Sequence, residues 1–123
     1  MAIKLQKEFN DYELNKELKA TVVEMHLVEE GDDYNFKITV QLTGTDKVVR
    51  KVYFVDLTNM QSQFAQFCLN CNIVDENGEI DYRDLLYSEV VVCLVLTEGN
   101  EVMIDYIKKY PGEDYEFADY NQI

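Results

Sequence analysis

The chain has 123 residues, of which 24 are acidic and 11 basic, giving a formal net charge of −13 at pH 7. Its apolar content of 47% favours one folded domain, because disorder requires high charge together with low hydrophobicity. No apolar run reaches the ~18 residues that span a bilayer, and the first residues lack the apolar core of a signal peptide. We therefore expect a soluble, cytoplasmic protein without membrane contact, whose three cysteines stay reduced.

Three predicted strands come first in the chain. Apolar and polar residues alternate in 34–42, "YNFKITVQL", which predicts a strand with one buried face. A β-branched run over 19–30 precedes this strand, and a similar run over 47–57 follows it, each across a turn that contains glycine. These runs predict an antiparallel meander. The first 17 residues are compatible with either a short helix or an extended arm.

The hydrophobic period then changes to that of a helix. Thr58 and Gln61 have the spacing of a capping box, which predicts a helix over about 59–71. Its apolar residues share one face: Met60, Phe64, Phe67, Cys68 and Cys71. An acidic connector with a short turn follows, and then two strands over 89–96 and 101–109.

The order of these elements predicts the fold. Three strands, a helix and two strands are the element order of the OB-fold, a small and partly open barrel. We therefore predict a mainly β domain over 1–110, a five-stranded OB-fold-like barrel with one helix between strands 3 and 4, followed by an acidic C-terminal tail over 111–123. A rolled five-stranded sheet of another topology is the alternative, because strand order is not written in the sequence.

The sequence also contains residues that bind metals in other proteins. Cys68 and Cys71 are spaced like zinc ligands, and Cys93 and His26 would complete a set of four. Cys68 and Cys71 lie on the apolar stripe of the predicted helix, so we interpret them as part of the core. The loop over 73–84 has an apolar residue where a calcium loop needs its first oxygen ligand. No catalytic or phosphate-binding motif occurs, so we expect neither an enzyme nor a metal or cofactor site.

Positive charge is concentrated in one region. Residues 34–55 hold four basic residues and one acidic residue, a net charge of +3, so the remainder carries −16. Cations that track phosphates and aromatic rings that stack on bases hold single-stranded nucleic acid. The candidate nucleic-acid-binding residues are Lys37, Lys47, Arg50, Lys51, Tyr53, Lys108 and Lys109. Four phosphate contacts would make log affinity fall against log salt with a slope of about −3.

The hydrophobic pattern of strand 3 does not determine which of its side chains face solvent. Strand 3 carries apolar residues on both faces, so either Arg50 or the pair of Lys51 and Tyr53 faces solvent. The alternative to nucleic-acid binding is a set of ordinary solvated lysines on a β-sheet.

The second half of the chain resembles a known family. It contains a helix rich in phenylalanine, "FAQFCLNCNI", an acidic connector, "GEIDYRDLL", and two closing strands, "EVVVCLVL" and "VMIDYIKKYP". In these features residues 64–110 resemble phage-encoded single-stranded DNA-binding proteins of the OB-fold type, which act in replication and recombination modules. The resemblance implies sequence-independent binding of single-stranded DNA in the cytoplasm of a bacterial host cell. One departure is Tyr87-Ser88-Glu89, where family members commonly place a glycine followed by a basic residue. The other is "TEGN", where the connection between the last two strands is often basic.

The C-terminal tail is similar to the acidic tip by which such proteins recruit replication and recombination partners. The resemblance implies a partner-binding role for Glu113, Asp114, Glu116, Phe117, Asp119 and Ile123. A homo-oligomer is expected, because one small cationic patch on so acidic a chain binds weakly alone. One alternative function is that of an acidic DNA mimic, which inhibits a host nucleic-acid-binding enzyme through its carboxylates. The other is that of a structural adaptor with an OB-like barrel.

Overall fold

The computed structural model describes residues 12–122 of the chain. The elements are β1 (Glu17–Glu30), β2 (Asp33–Leu42), β3 (Val48–Phe54), α1 (Gln63–Asn70), a short 3₁₀ turn (Arg83–Leu85), β4 (Glu89–Leu96) and β5 (Val102–Lys109). The predicted mainly β fold is confirmed, with five strands and one helix between the third and the fourth. Most of the predicted N-terminal arm or short helix lies outside the described residues.

The five strands form one antiparallel sheet in the order β3-β2-β1-β4-β5. β1 is the central strand, and a bulge between Val22 and Glu24 interrupts its register with β2. The edge strands β3 and β5 contact each other, but no ladder of backbone hydrogen bonds joins them in the described part of the chain. The predicted barrel is therefore corrected to an open sheet, whose edge strands lie near each other without pairing.

The core lies between one face of the sheet and α1. Phe36, Ile38 and Val40 alternate along β2 with almost no exposed area. Phe67 of α1 packs against them, with its ring centroid 5.7 Å from that of Phe36. Large aromatic side chains dominate core energetics because each buries a large apolar area. The apolar stripe predicted for the helix therefore holds α1 on the sheet.

The start of α1 differs from the prediction. Ser62 caps the helix, because its Oγ accepts a hydrogen bond of 3.1 Å from the backbone N–H of Ala65. Thr58, the predicted cap, instead donates its hydroxyl hydrogen to Asp56 at 2.8 Å. The carboxylate of Asp56 also accepts the backbone N–H of Thr58, so the chain makes a turn there before the helix begins.

No helix within residues 12–122 has both the length and the apolar character needed to cross a membrane.

The C-terminal segment, residues 110–122, lies along the start of β1. Its Ala118 carbonyl accepts the Glu17 N–H at 2.7 Å, and its Tyr120 N–H donates to the Asn15 carbonyl at 2.7 Å. Val91 of β4 is fully buried although it points away from the core, on the same side as its β1 partner Lys19. The described part of the predicted tail therefore packs against the domain instead of extending away from it.

Candidate nucleic-acid interface

The outer face of β2 and β3, opposite the core, is the candidate interface. The registers of β1, β2 and β3 place outward-pointing side chains in four rows: Thr21/Gln41/Val48, Glu24/Thr39/Arg50, His26/Lys37/Val52 and Val28/Asn35/Phe54. We call this surface the open face. Val48, Val52 and Phe54 on its edge strand are each about half exposed, at 48%, 53% and 56%.

Two unpaired cations lie on the open face. Arg50 and Lys37 are exposed, and neither forms an ion pair with any residue of the described part of the chain. They occupy adjacent rows on neighbouring strands, a diagonal relationship that separates such residues by roughly 7–8 Å. Four cations elsewhere are neutralised by carboxylates: Lys16, Lys19, Arg83 and Lys108. The open face therefore carries cations that remain available to a phosphate.

Phe54 is the aromatic residue of the open face, and it is absent from the binding residues predicted from the sequence. Its ring is 56% exposed and lies two rows from Arg50 on the same side of β3. The alternation of the strand contained the signal, because adjacent residues point to opposite faces and only one of Tyr53 and Phe54 can enter the core.

Tyr53 belongs to the core. It is 4% exposed and stacks on Phe67 with ring centroids 4.7 Å apart. Burial raises the pKa of its hydroxyl well above the usual value. Lys51 lies on the same inner side, opposite Ile38, where partial burial lowers its pKa. The orientation left open by the sequence is thus decided: Arg50 faces solvent, and the ring of Tyr53 is not exposed for stacking on a base.

The other predicted basic residues lie away from this pair. Lys108 forms an ion pair of 3.1 Å with Glu17 on the half of the sheet where the C-terminal segment lies. Lys109 is exposed at the end of β5, on the opposite edge strand. Lys47 is partly buried, with its Nζ 5.3 Å from the centroid of the Tyr12 ring. The structure therefore brings Lys37 and Arg50 together on one face but not the remaining candidates.

The buried carboxylate of Glu17 fastens the C-terminal segment. It accepts hydrogen bonds from the Tyr106 hydroxyl at 2.6 Å, from the Ala118 N–H at 3.0 Å and from the Tyr115 hydroxyl. Desolvation alone would raise its pKa, but these hydrogen bonds and that from Lys108 outweigh burial and lower the pKa to about 2. Glu17 is thus a charged anchor that joins β1, β5 and the C-terminal segment.

The predicted partner-binding residues lie in different surroundings once the C-terminal segment packs on the sheet. The side chains of the four carboxylates are exposed: Glu113, Asp114, Glu116 and Asp119. The ring of Phe117 is 40% exposed and stacks against Tyr110, with centroids 6.1 Å apart. Ile123 lies outside the described residues. A role of this acidic surface in recruiting partners stays a prediction.

The cysteines and the histidine do not converge. Cys68 and Cys71 are buried, and burial raises their thiol pKa values to about 11 and about 12. Cys93 is buried on the other side of the sheet, outside the main core. His26 is exposed on the open face, with its Nε2 3.4 Å from the Glu24 carboxylate. Within residues 12–122, no three His, Cys, Asp or Glu side chains are arranged to hold a metal ion.

The described structure defines a mainly β protein, with a five-stranded open antiparallel sheet and one helix. Comparisons with protein-family models, curated proteins and solved structures give no match to this chain. Its function therefore has to be argued from the open face, from the remaining surface and from the charges that they carry.

Proposed function

We propose that this protein binds single-stranded DNA through the open face, without sequence preference and without performing chemistry. The observation that carries the proposal is the placement of Arg50 and Lys37, exposed and without ion pairs in the described structure, on the same face as the exposed ring of Phe54. Cations that neutralise phosphates, together with rings that stack on bases, are the two requirements of such binding.

The topology supports a finer interpretation of the fold. The strand order and the contact between β3 and β5 are compatible with an OB-fold-like sheet, in which the face of strands 2 and 3 commonly receives oligonucleotides. The open face is that same face. A role in a phage replication or recombination module, inside a bacterial cell, rests on the family resemblance of residues 64–110.

The number of available cations sets the strength of binding. Two phosphate contacts, in place of the four expected from the sequence, give a slope of log affinity against log salt of about −1.4. The acidic remainder of the molecule opposes binding through its long-range field. An oligomer would overcome this weakness, because one strand could contact several open faces and gain avidity.

A titration of fluorescently labelled oligo-dT at low salt tests the proposal. Replacing both Lys37 and Arg50 with alanine should weaken binding at least about tenfold and flatten the salt dependence. Arg83→Ala is the matched control, because Arg83 is an exposed cation that is paired with Asp81 away from the open face. Absence of binding at micromolar protein, or an equal loss in the control, would contradict the proposal.

A second candidate function is the acidic DNA mimic. Four exposed carboxylates surround the turn between β1 and β2, and within the described residues none of them is in an ion pair with a lysine or arginine: Glu29, Glu30, Asp32 and Asp33. Such a surface would bind a basic host enzyme in place of the phosphates of DNA. This function predicts no affinity for oligo-dT and a salt-sensitive association with the enzyme. The same titration therefore separates the two candidates.

A further inference from the structure

An apolar groove lies beside α1, away from the open face. It has a volume of about 600 Å³ and is bounded by the loop before the helix and by the turn after it. Its apolar lining includes Leu57, Met60, Phe64, Leu69, Val74 and Ile80. Leu57, Met60 and Leu69 are exposed by 72%, 63% and 45%. Large apolar side chains that gather around a concavity mark an interaction surface more often than scattered ones do.

Both walls of the groove are fixed by local hydrogen bonds. On one side, the Asp56 carboxylate accepts the Thr58 N–H at 3.0 Å and the Thr58 hydroxyl at 2.8 Å. On the other side, the Asp75 carboxylate accepts the backbone N–H groups of Asn77 and Glu79, each at 2.8 Å. A surface held in this way loses little conformational freedom when a partner binds. The groove is therefore formed before any partner arrives.

The charge around the groove has one sign. Asp56 and Glu79 line it, and among residues 12–122 no lysine, arginine or histidine does so. Asp75 and Glu76 are exposed in the adjoining turn. A second copy of this chain would bring a net charge of −13 toward this rim, and the two would repel each other. Charge complementarity therefore favours a cationic occupant.

The polar groups near the groove offer little to a small polar ligand. The Asp56 carboxylate is engaged by Thr58, and the Asn59 side-chain oxygen accepts the Gln61 N–H at 2.9 Å. Small-molecule sites instead present convergent polar groups that are free to orient the ligand. The lining is suited to apolar side chains, and the rim to basic ones.

We propose that this groove receives a cationic amphipathic helix from a partner protein. The apolar face of that helix would pack on Leu57, Met60 and Leu69, and its lysine or arginine side chains would lie near Asp56 and Glu79. Docking of amphipathic helices in apolar grooves is a recurring mode of peptide recognition. The inference is independent of the proposed nucleic-acid binding, because it concerns different residues on a different surface.

The test uses the full chain and a labelled synthetic peptide of about 14 residues, with leucine on one helical face and lysine on the other. The comparison peptide carries glutamate in place of each lysine. Fluorescence anisotropy should show saturable binding of the lysine peptide and none of the glutamate peptide. Replacing both Leu57 and Met60 with serine should weaken binding at least about tenfold without changing any charge.

Two further variants complete the design. Asp56→Asn combined with Glu79→Gln should weaken binding and reduce its dependence on salt, because both rim charges are lost. Leu96→Ser is the matched control, because Leu96 is 41% exposed and does not line the groove. It should leave the affinity unchanged. All three variants alter exposed or partly exposed residues, and circular dichroism would verify that they fold.

Four results would overturn the inference. Peptide binding that is insensitive to the change at Leu57 and Met60, or equally weakened in Leu96→Ser, would show non-specific attraction to an acidic protein. Dimerisation of the native chain that disappears when Leu57 and Met60 are replaced with serine would assign the groove to a second copy of the chain. Changes in the amide resonances of residues 2–11 in that variant, without peptide, would assign it to the chain's own N-terminal segment.

Discussion

The ammonium group of Lys108 lies 3.1 Å from Oε2 of Glu17, beneath the C-terminal segment. The Tyr115 ring lies against the same lysine, with its centroid 4.8 Å from Nζ. These contacts lie on the half of the outer face formed by the start of β1 and by β4 and β5, while the open face on the other half is not covered by this segment. The location of the candidate interface thus follows from where the chain covers its own sheet.

Removing the charge of Glu17 should destabilise the protein. In Glu17→Gln, Lys108 loses its carboxylate partner and the tyrosine hydroxyls lose a charged acceptor, so the free energy of unfolding should fall by about 3 kcal/mol. Urea unfolding followed by circular dichroism measures this change. The control is Glu13→Gln, where an exposed ion pair with Lys16 should contribute roughly 0–1 kcal/mol. Equal losses in the two variants would contradict the anchoring role of Glu17.

The same carboxylate predicts a dependence of stability on pH. The pKa of Glu17 is lowered from 4.5 to about 2 in the folded protein, so its contribution is complete above pH 4.5 and is lost as the pH falls toward 2. The full contribution of the ionised Glu17 to the free energy of unfolding is about 3 kcal/mol. Urea midpoints of the native chain and of Glu17→Gln should differ by a constant amount from pH 7 to 5 and converge below. A difference that does not shrink as the pH falls from 4.5 toward 2 would contradict the prediction.

Phe54 and Tyr53 should respond in opposite ways to truncation. Phe54→Ala should weaken oligo-dT binding by roughly 1–3 kcal/mol, because it removes an exposed stacking ring. It should leave the free energy of unfolding within about 0.5 kcal/mol. Tyr53→Ala should instead lower that free energy by about 3–5 kcal/mol, because the ring fills the core against Phe67. Titration and urea unfolding of both variants provide the test, and unchanged binding in Phe54→Ala would exclude the ring from the site.

The start of α1 can be tested with two hydroxyl residues. Ser62→Ala removes the side chain that accepts the Ala65 N–H and should lower the free energy of unfolding by about 1 kcal/mol. Thr58→Ala removes only an exposed hydrogen bond to Asp56, with a change within about 0.5 kcal/mol. Thermal or urea unfolding compares the two. A larger loss at Thr58 would restore the capping box predicted from the sequence.

The three cysteines should be protected in the native state. Burial raises the thiol pKa of Cys68 to about 11 and that of Cys71 to about 12, so little reactive thiolate exists at pH 8. Reaction with a coloured disulfide reagent should be slower than in urea by roughly two orders of magnitude or more. The unfolded chain is the internal control. Rapid labelling of the native protein would show that this part of the core opens.

Part of the candidate site could be predicted from local sequence. The alternation of 34–42 placed Lys37 on the outer side of β2, opposite the buried Phe36 and Ile38. For strand 3 the same rule was insufficient, because both of its faces carry apolar residues. The choice between Tyr53 and Phe54 depends on which ring meets the helix, and that contact joins residues distant in sequence.

The sequence by itself determined the number, type and order of the elements, because hydrophobic period and turn residues act over a few neighbouring positions. It also determined that positive charge lies in β2 and β3. Only the tertiary structure decided that Phe54 and Arg50 share an exposed face, that the sheet stays open and that the C-terminal segment docks on Glu17. The hydrogen bond from Tyr115 to Glu17 spans 98 residues of sequence, and no local pattern specifies so distant a partner.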